Sequence, residues 1–468
     1  MLHQRTLCSL ETRFGDQLSL APAVLEQHGR GESYHRTLPP DAVVFARSTA
    51  EVADVLTLCH ATRTPVVAFG AGTSLEGNVS AVEGGVCIDL SQMNGILRID
   101  VEDMDCTVEA GVTRSRLNGE LRHSGLFFPL DPGADASIGG MAATRASGTN
   151  AVRYGTMRDS VLALTVVLAD GTIINTGSRA RKSAAGYDLT RLFVGSEGTL
   201  GVLTEVTLRL QSVPEAVAAA VCGFPDVASA IRTVVALLQS GVPVARVELL
   251  DRAQIRAVNR YSKTTYPVAD TLFFEFHGGP KSIAEQVTYA EALALECGGE
   301  GFISADEPES RNRLWKARHD AYYATIALRP GARGWSTDVC VPISNLGACI
   351  AGAQSLIAST TTPATVVGHV GDGNFHVIFA VDPENVAELA EIARISDSLA
   401  LLAQSFGGTC TGEHGVGSGK IAHMRAEHGA ALNVMAAIKA ALDPRGILNP
   451  GKVLPPAPLA LLAGAHDK

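Results

Sequence analysis

Two histidines and a Glu-His pair in the second half of the chain are the residues whose types could do chemistry together. His369 and His376 are joined by a stretch of glycine, aspartate and asparagine that is able to fold back on itself. Glu413 and His414 follow between glycines, which allow neighbouring side chains to meet one ligand. Two histidines and one carboxylate with an open position form a usual catalytic site for Zn²⁺, Mn²⁺ or Fe²⁺, and the remaining histidine can then act as a base.

A simpler interpretation of the same histidines remains open. The spacing of His369 and His376 matches no standard zinc motif, so the pair can also be ordinary polar side chains around a glycine turn. A metal bound by His369, His376 and Glu413 would also suit a hydrolase that does no redox chemistry. The glycines beside Glu413 and His414 favour the metal hypothesis, but the spacing leaves the alternatives in place.

Three glycine-rich segments in the first half of the chain could bind a long ligand. The first runs from Gly70 to Gly77, and its glycines let backbone N–H groups approach an anion. It fits neither the dinucleotide-binding fingerprint nor the phosphate-binding P-loop, and a plain turn is the alternative. The second runs from Pro129 to Thr156 and the third from Gly195 to Val202. Three such segments together indicate a ligand that lies extended along the backbone.

The elements around these segments predict a mixed α+β chain in two main parts. Residues 42–46 and 65–69 have the pattern of strands, and a helix with a capping box at Ser48 lies between them, so they form a βαβ unit. Asp170-Gly171 predicts the turn of a hairpin between two later strands. Beyond about Pro214 longer helical patterns alternate with strands, which places a domain boundary there.

Composition limits the class of protein and its partners. With 468 residues, 46% hydrophobic and 18% charged, the chain is globular and long enough for two or three domains. A net charge of −10 excludes a general nucleic-acid surface. We expect no transmembrane segment, because no apolar run reaches about 20 residues. The nine cysteines form no CxxC pair and no signal peptide is evident, so a cytoplasmic location is expected, with peripheral attachment at the inner membrane as the alternative.

The three glycine-rich segments resemble the FAD-binding domain of the vanillyl-alcohol oxidase flavoprotein superfamily. The resemblance implies an FAD-binding domain over residues 1–214, an α+β substrate (cap) domain over 215–424, and a C-terminal segment, 425–468, that packs back on the first. The residues that would contact FAD are Gly70, Gly72, Thr73, Ser74, Gly77, Pro132, Gly133, Ser137, Gly139, Gly140, Ser147, Gly148 and Val202. Some members attach FAD through His or Cys. Neither occurs from Gly70 to Asn78, so we expect non-covalent FAD.

The histidine motifs, together with Asn449 to Val453, resemble the C-terminal half of the FAD-linked D-lactate and D-2-hydroxyglutarate dehydrogenases. This resemblance implies that His369, His376 and Glu413 bind a divalent metal, Zn or Mn, and that His414 is the catalytic base. Asn449 to Val453 can also be structural and pack the tail onto the flavin domain. FAD-dependent oxidation of a small D-2-hydroxy acid is the function that follows.

Two further runs are similar to the cytochrome-type D-lactate dehydrogenases. They are residues 314–320, Leu-Trp-Lys-Ala-Arg-His-Asp, and residues 336–342, Ser-Thr-Asp-Val-Cys-Val-Pro. The resemblance implies that Arg318 holds the substrate carboxylate, for which a planar guanidinium is suited. Relatives that take 2-hydroxyglutarate have Lys near Ser336 and Asn near Ile378. Their absence here favours D-lactate or another small monocarboxylate.

Other functions and several partners remain open. D-2-hydroxyglutarate or glycolate dehydrogenase is an alternative, as is a non-catalytic flavin-binding subunit of a glycolate oxidase-like complex. The chain has no heme or iron–sulfur cysteine pattern, so an external acceptor must reoxidise the flavin. Cytochrome c, a quinone and an electron-transfer flavoprotein are the candidates, and a homodimer is one assembly considered.

Overall fold

A four-stranded sheet begins the fold of the computed structural model, which describes residues 3–456. Its strands are β1 (Leu18–Ser19), β2 (Ala42–Phe45), β3 (Val66–Phe69) and β4 (Val86–Asp89), in the order β1-β2-β4-β3. Helix α3 (Thr49–Thr62) connects β2 to β3, and Ser48 Oγ accepts a hydrogen bond from Glu51 N at its start, as predicted. β2 and β3 are each parallel to β4, which lies between them. The predicted βαβ unit is therefore present with a third strand inserted.

A five-stranded antiparallel sheet follows in the order β5-β6-β10-β8-β9. Its strands are β5 (Ile96–Asp100), β6 (Asp105–Glu109), β8 (Val161–Val167), β9 (Ile173–Asn175) and β10 (Val202–Arg209), while β7 (Leu126–Phe127) pairs with β11 (Gln211–Ser212). β8 and β9 form the hairpin predicted at Asp170-Gly171. A buried apolar cluster that includes Phe128, Met141 and Phe193 packs against this sheet.

The second half of the chain is built on an eight-stranded antiparallel sheet. Along it run β15 (Glu300–Ala305), β12 (Ala216–Phe224), β14 (Asp270–Gly278), β13 (Val244–Leu250), β18 (Ala364–Gly368), β19 (Asn374–Val381) and β16 (Arg333–Ser336), and β17 (Val339–Cys340) also pairs with β19. Separate apolar clusters lie on its two faces, because alternate side chains of each strand point to opposite sides. β14 is one of the strands that alternate with helices beyond Pro214, as the sequence predicts.

The helices cover these sheets. They are α1 (Gln4–Phe14), α2 (Pro22–His28), α3, α4 (Arg114–Leu121), α5 (Ile138–Thr144), α6 (Ala151–Tyr154), α7 (Met157–Ser160), α8 (Leu189–Phe193), α9 (Val227–Gln239), α10 (Arg252–Ser262), α11 (Pro280–Glu296), α12 (Pro308–His319), α13 (Ala321–Ile326), α14 (Ile343–Ile357), α15 (Val386–Ser405), α16 (Met424–His428) and α17 (Ala431–Leu442). Two 3₁₀ turns, Gly15–Gln17 and Ile421–His423, complete the set in residues 3–456.

The chain returns to the first sheet after α17. Val66 N in β3 donates to Ile447 O at 2.7 Å, and Asn449 N donates to Val66 O at 2.8 Å. The last part of the predicted C-terminal segment, residues 457–468, lies outside the described residues. All nine cysteines are free thiols. Within residues 3–456 no helix is both long and apolar enough to cross a bilayer.

Candidate active site

The structure brings His369, His376 and Glu413 together. β18 ends one residue before His369, a turn follows, and His376 lies in β19, so antiparallel pairing of the two strands returns one histidine beside the other. Their ring centroids are 5.4 Å apart. Glu413 Oε1 lies 3.1 Å from His369 Nε2 and 3.3 Å from His376 Nε2. Three potential ligand atoms therefore converge on one point.

The hydrogen bonds made by Nδ1 of His369 and His376 direct the Nε2 atom of each ring toward Glu413. His369 Nδ1 is 2.7 Å from Glu248 Oε1, and His376 Nδ1 is 2.9 Å from Thr337 O, so each Nδ1 donates its proton to an oxygen. Burial lowers the pKa of His376. Burial also opposes protonation of His369, but the Glu248 and Glu413 carboxylates raise its pKa. Two imidazole nitrogens and a carboxylate oxygen this close fit a divalent metal, which would take the place of the His369 proton beside Glu413.

His414 lies directly behind this group. Its ring stacks on His376 with centroids 5.0 Å apart and an interplanar angle of 8°. Its Nδ1 lies 3.5 Å from Glu76 Oε1. Although burial opposes protonation, the Asp338 carboxylate raises the pKa of His414, which makes the ring a stronger proton acceptor than a free imidazole.

Asp338 positions the turn that carries Glu413 and His414. Its Oδ2 accepts hydrogen bonds from both of their backbone N–H groups, each at 2.9 Å. Its Oδ1 accepts from Asn374 Nδ2 at 2.7 Å, and Asn374 lies in the segment between His369 and His376. Asp338 is 1% exposed. One buried carboxylate therefore connects the two histidine motifs.

Arg318 reaches the same site from α12. Its Nε donates to Glu248 Oε2 at 2.6 Å, and Glu248 Oε1 accepts from His369, so Glu248 contacts both. The Arg318 side chain is 18% exposed and Glu248 is fully buried. The terminal guanidinium nitrogens of Arg318 have no partner among the described residues and are suited to an anionic ligand.

The three glycine-rich segments line one open cavity, and Glu413 and His414 lie in its wall. Nine of the thirteen residues predicted to bind FAD line it, namely Gly70, Gly72, Thr73, Ser74, Pro132, Ser137, Gly139, Gly140 and Ser147. Ser74 Oγ is buried there without a hydrogen-bond partner. An unsatisfied hydroxyl among glycines fits a ligand with phosphate oxygens, so these residues suit FAD.

The other four predicted residues, Gly77, Gly133, Gly148 and Val202, do not line this cavity. Gly148 has a φ of +109°, and a Cβ there would overlap the backbone carbonyl of Asp131. A Cβ on Gly77 would meet Ser418 Oγ at 2.6 Å. Val202 is buried at the start of β10. Gly77, Gly148 and Val202 therefore have packing or backbone reasons for their residue types.

Sequence reasoning missed four buried acids and amides around the site. Glu248 and Asp338 are described above, and Glu197 Oε1 and Oε2 accept from Val416 N and Gly417 N at 2.7 and 2.8 Å. Asn449 lines the cavity and donates to Glu197 O at 2.7 Å. The sequence offered one signal for Glu197, its place in the segment from Gly195 to Val202, and one for Asn449, its place in the motif from Asn449 to Val453. No sequence pattern indicated a role for Glu248.

Comparison with known proteins identifies the class. The profile of the FAD binding domain family matches residues 40–177, and the profile of the FAD linked oxidases, C-terminal domain, matches residues 213–453. The chain belongs to the FAD linked oxidases. The structure of p-cresol methylhydroxylase with substrate bound aligns with a TM-score of 0.80 at 19% identity and covers 96% of this chain and 97% of that one. The expected α+β fold of the vanillyl-alcohol oxidase type, with its FAD-binding domain, is confirmed.

Within the family the chain is similar to D-lactate dehydrogenases. It is 54% identical to "Probable D-lactate dehydrogenase, mitochondrial" of Danio rerio over 96% of this chain and 92% of that protein. It is 48% identical to "D-lactate dehydrogenase (cytochrome), mitochondrial" of Arabidopsis thaliana over 92% of this chain and 76% of that protein. The resemblance drawn from the motifs is therefore confirmed, and the chain is an FAD-dependent oxidoreductase.

The expected cytoplasmic location, with or without attachment to the inner membrane, is wrong by these comparisons. Both relatives are named mitochondrial. The prediction rested on reduced thiols and on the lack of an apolar signal. Unpaired cysteines indicate a reducing environment, but they do not distinguish one reducing compartment from another.

Proposed function

We propose that this chain oxidises D-lactate to the corresponding 2-oxo acid with FAD as the hydride acceptor. The observation that carries the proposal is the position of Glu413 and His414 in the wall of the cavity formed by the glycine-rich segments. A base and a candidate metal ligand thus face the place where the flavin would lie. The names of the relatives support D-lactate as the substrate.

Each residue of the site has a distinct part in the proposed reaction. Bound FAD supplies the hydride acceptor, and a divalent metal on His369, His376 and Glu413 supplies a Lewis acid. Arg318 binds the substrate carboxylate through its terminal nitrogens. Because His414 Nδ1 faces Glu76, His414 Nε2 is the atom that takes the proton of the 2-hydroxyl as the Cα–H leaves as hydride.

A small monocarboxylate fits the residues next to His376. Ser336 in β16 and Ile378 in β19 are paired across the sheet. Ile378 lies two residues from His376, so both side chains are on the same face of the strand. Neither Ser336 nor Ile378 carries a charge or an amide. A second substrate carboxylate would therefore meet no cation or amide at these two positions.

The reduced flavin passes its electrons to an external acceptor in this proposal. The name of the Arabidopsis relative supports a cytochrome as that acceptor. We propose that FAD is held without a covalent bond, because neither His nor Cys occurs from Gly70 to Asn78. Acid precipitation would then release all the flavin into the supernatant.

A panel of substrates tests the proposed specificity. We expect kcat/KM with a dye acceptor to be highest for D-lactate and at least about tenfold lower for D-2-hydroxyglutarate, because one uncompensated charge in the site costs more than 1.4 kcal/mol. Glycolate lacks the methyl group and should also be the poorer substrate. Purified chain with each acid at several concentrations provides the measurement. A preference for D-2-hydroxyglutarate or glycolate would contradict the assignment.

A further inference from the structure

A buried bridge joins the candidate metal site to the residue proposed to hold the substrate. Glu248 lies in β13. Its Oε1 accepts a hydrogen bond from His369 Nδ1 at 2.7 Å, and its Oε2 accepts one from Arg318 Nε at 2.6 Å. The Glu248 side chain is fully buried. Each oxygen of Glu248 thus binds a different side chain. A movement of His369 or Arg318 that keeps its hydrogen bond must therefore rotate the Glu248 carboxylate.

We infer that Glu248 is a positioning residue that couples metal binding to recognition of the substrate carboxylate. The inference rests on the proposed function, since it takes His369 as a metal ligand and Arg318 as the carboxylate-binding residue. A metal on His369 Nε2 would fix the plane of the imidazole and, through Nδ1, the plane of the Glu248 carboxylate. That plane sets the direction of the Arg318 guanidinium.

The coupling must act in both directions. If metal binding orients Arg318 through Glu248, then a change at Arg318 should alter the affinity for the metal, just as the metal alters the affinity for the substrate. Arg318 itself has no contact with Glu413 or His376. A substitution of Arg318 therefore cannot change metal affinity by direct contact with these two ligands. Such an effect distinguishes coupling through Glu248 from a purely structural role.

The neighbouring strand contains a second buried Glu-His pair that serves as a control. Glu275 Oε1, in β14, is 2.8 Å from His277 Nε2 and 3.3 Å from Arg246 Nε, which donates to Asn150 Oδ1. Glu275 and His277 are also buried. Neither Glu275 nor His277 contacts His369, His376 or Glu413. Glu275→Gln therefore makes the same substitution beside a buried histidine that is not one of the three proposed metal ligands.

The test measures metal affinity and substrate affinity separately. Wild-type chain with bound FAD is stripped of metal and titrated with Zn²⁺ against a chromophoric chelator, and KM for D-lactate is measured after Zn²⁺ is restored. Gln cannot accept both hydrogen bonds because one of its two terminal groups is a donor. We expect Glu248→Gln to weaken Zn²⁺ binding by about 10- to 100-fold and to raise KM, with FAD content unchanged. Glu275→Gln should change neither.

A double-mutant cycle tests the coupling itself. Arg318→Lys should weaken Zn²⁺ binding by at least about fivefold when Glu248 is present and should add no further loss to Glu248→Gln. Unchanged Zn²⁺ affinity in Arg318→Lys, or equal losses in both backgrounds, would overturn the inference. Wild-type chain that binds no Zn²⁺ or fails to reduce its flavin with D-lactate would instead overturn the proposed function.

Discussion

Replacement of His414 by Gln is expected to slow the reduction of bound flavin by D-lactate by at least about a hundredfold. His414 is proposed to take the hydroxyl proton, and a positioned general base contributes about 10²- to 10⁴-fold to a rate. A glutamine of similar size keeps hydrogen-bonding atoms but cannot accept this proton. Stopped-flow absorbance of the flavin under anaerobic conditions measures the rate directly.

His423→Gln is the matched control for this experiment. His423 is also a buried histidine, but its Nε2 contacts Asp397 at 3.0 Å and lies outside the site. The His423→Gln variant should be slightly less stable than the wild type and should keep the wild-type rate of flavin reduction. Both variants should retain the FAD absorbance spectrum. A His414→Gln rate within about fivefold of the wild type would remove His414 from the role of base.

Replacement of Glu413 by Gln is expected to remove the metal and nearly all activity. The variant loses the only negative charge in the proposed ligand set, and its amide would place a donor or a weaker acceptor between His369 and His376. We expect metal affinity to fall by more than about a hundredfold, beyond the loss typical of residues that only support a ligand. Metal content after dialysis, measured by elemental analysis, tests this.

Glu427→Gln provides the control for Glu413. Its Oε2 accepts from Cys410 N at 2.9 Å and from Gln404 Nε2 at 3.2 Å, and its Oε1 lies 3.8 Å from His428, which is not a proposed metal ligand. Metal content and turnover should remain near wild type in this variant. If Glu413→Gln binds metal and oxidises D-lactate normally, His369, His376 and Glu413 do not form the proposed centre.

Local structure and the principal motifs could be predicted from the sequence because their signals are local. Ser48 marks the start of α3, and Asp170-Gly171 marks the hairpin of β8 and β9. The convergence of His369 and His376 also follows from a short turn between adjacent strands. Each of these features depends on residues close together in the chain.

The residues that support the site could not be predicted, because their partners are far away in the chain. Glu248 lies 121 residues before His369, and Asp338 lies 75 residues before Glu413, so only the folded sheet brings them together. Glu248 is an acid in a largely apolar strand and Asp338 lies between β16 and β17, and sequence alone does not reveal the partners of either. The insertion of β4 between β2 and β3 is likewise a property of the whole sheet. The domain boundary near Pro214 and the proposed roles of the site residues stay predictions.

Anaerobic bleaching of the flavin by D-lactate, before and after chelation, tests the central claim most directly. The proposed site predicts that D-lactate bleaches the FAD absorbance, that L-lactate does not, and that removal of the metal slows bleaching until Zn²⁺ or Mn²⁺ is added back. The experiment needs no external acceptor, so it tests the oxidation half-reaction alone. Failure of D-lactate to bleach the flavin of a chain that holds both FAD and metal would contradict the account.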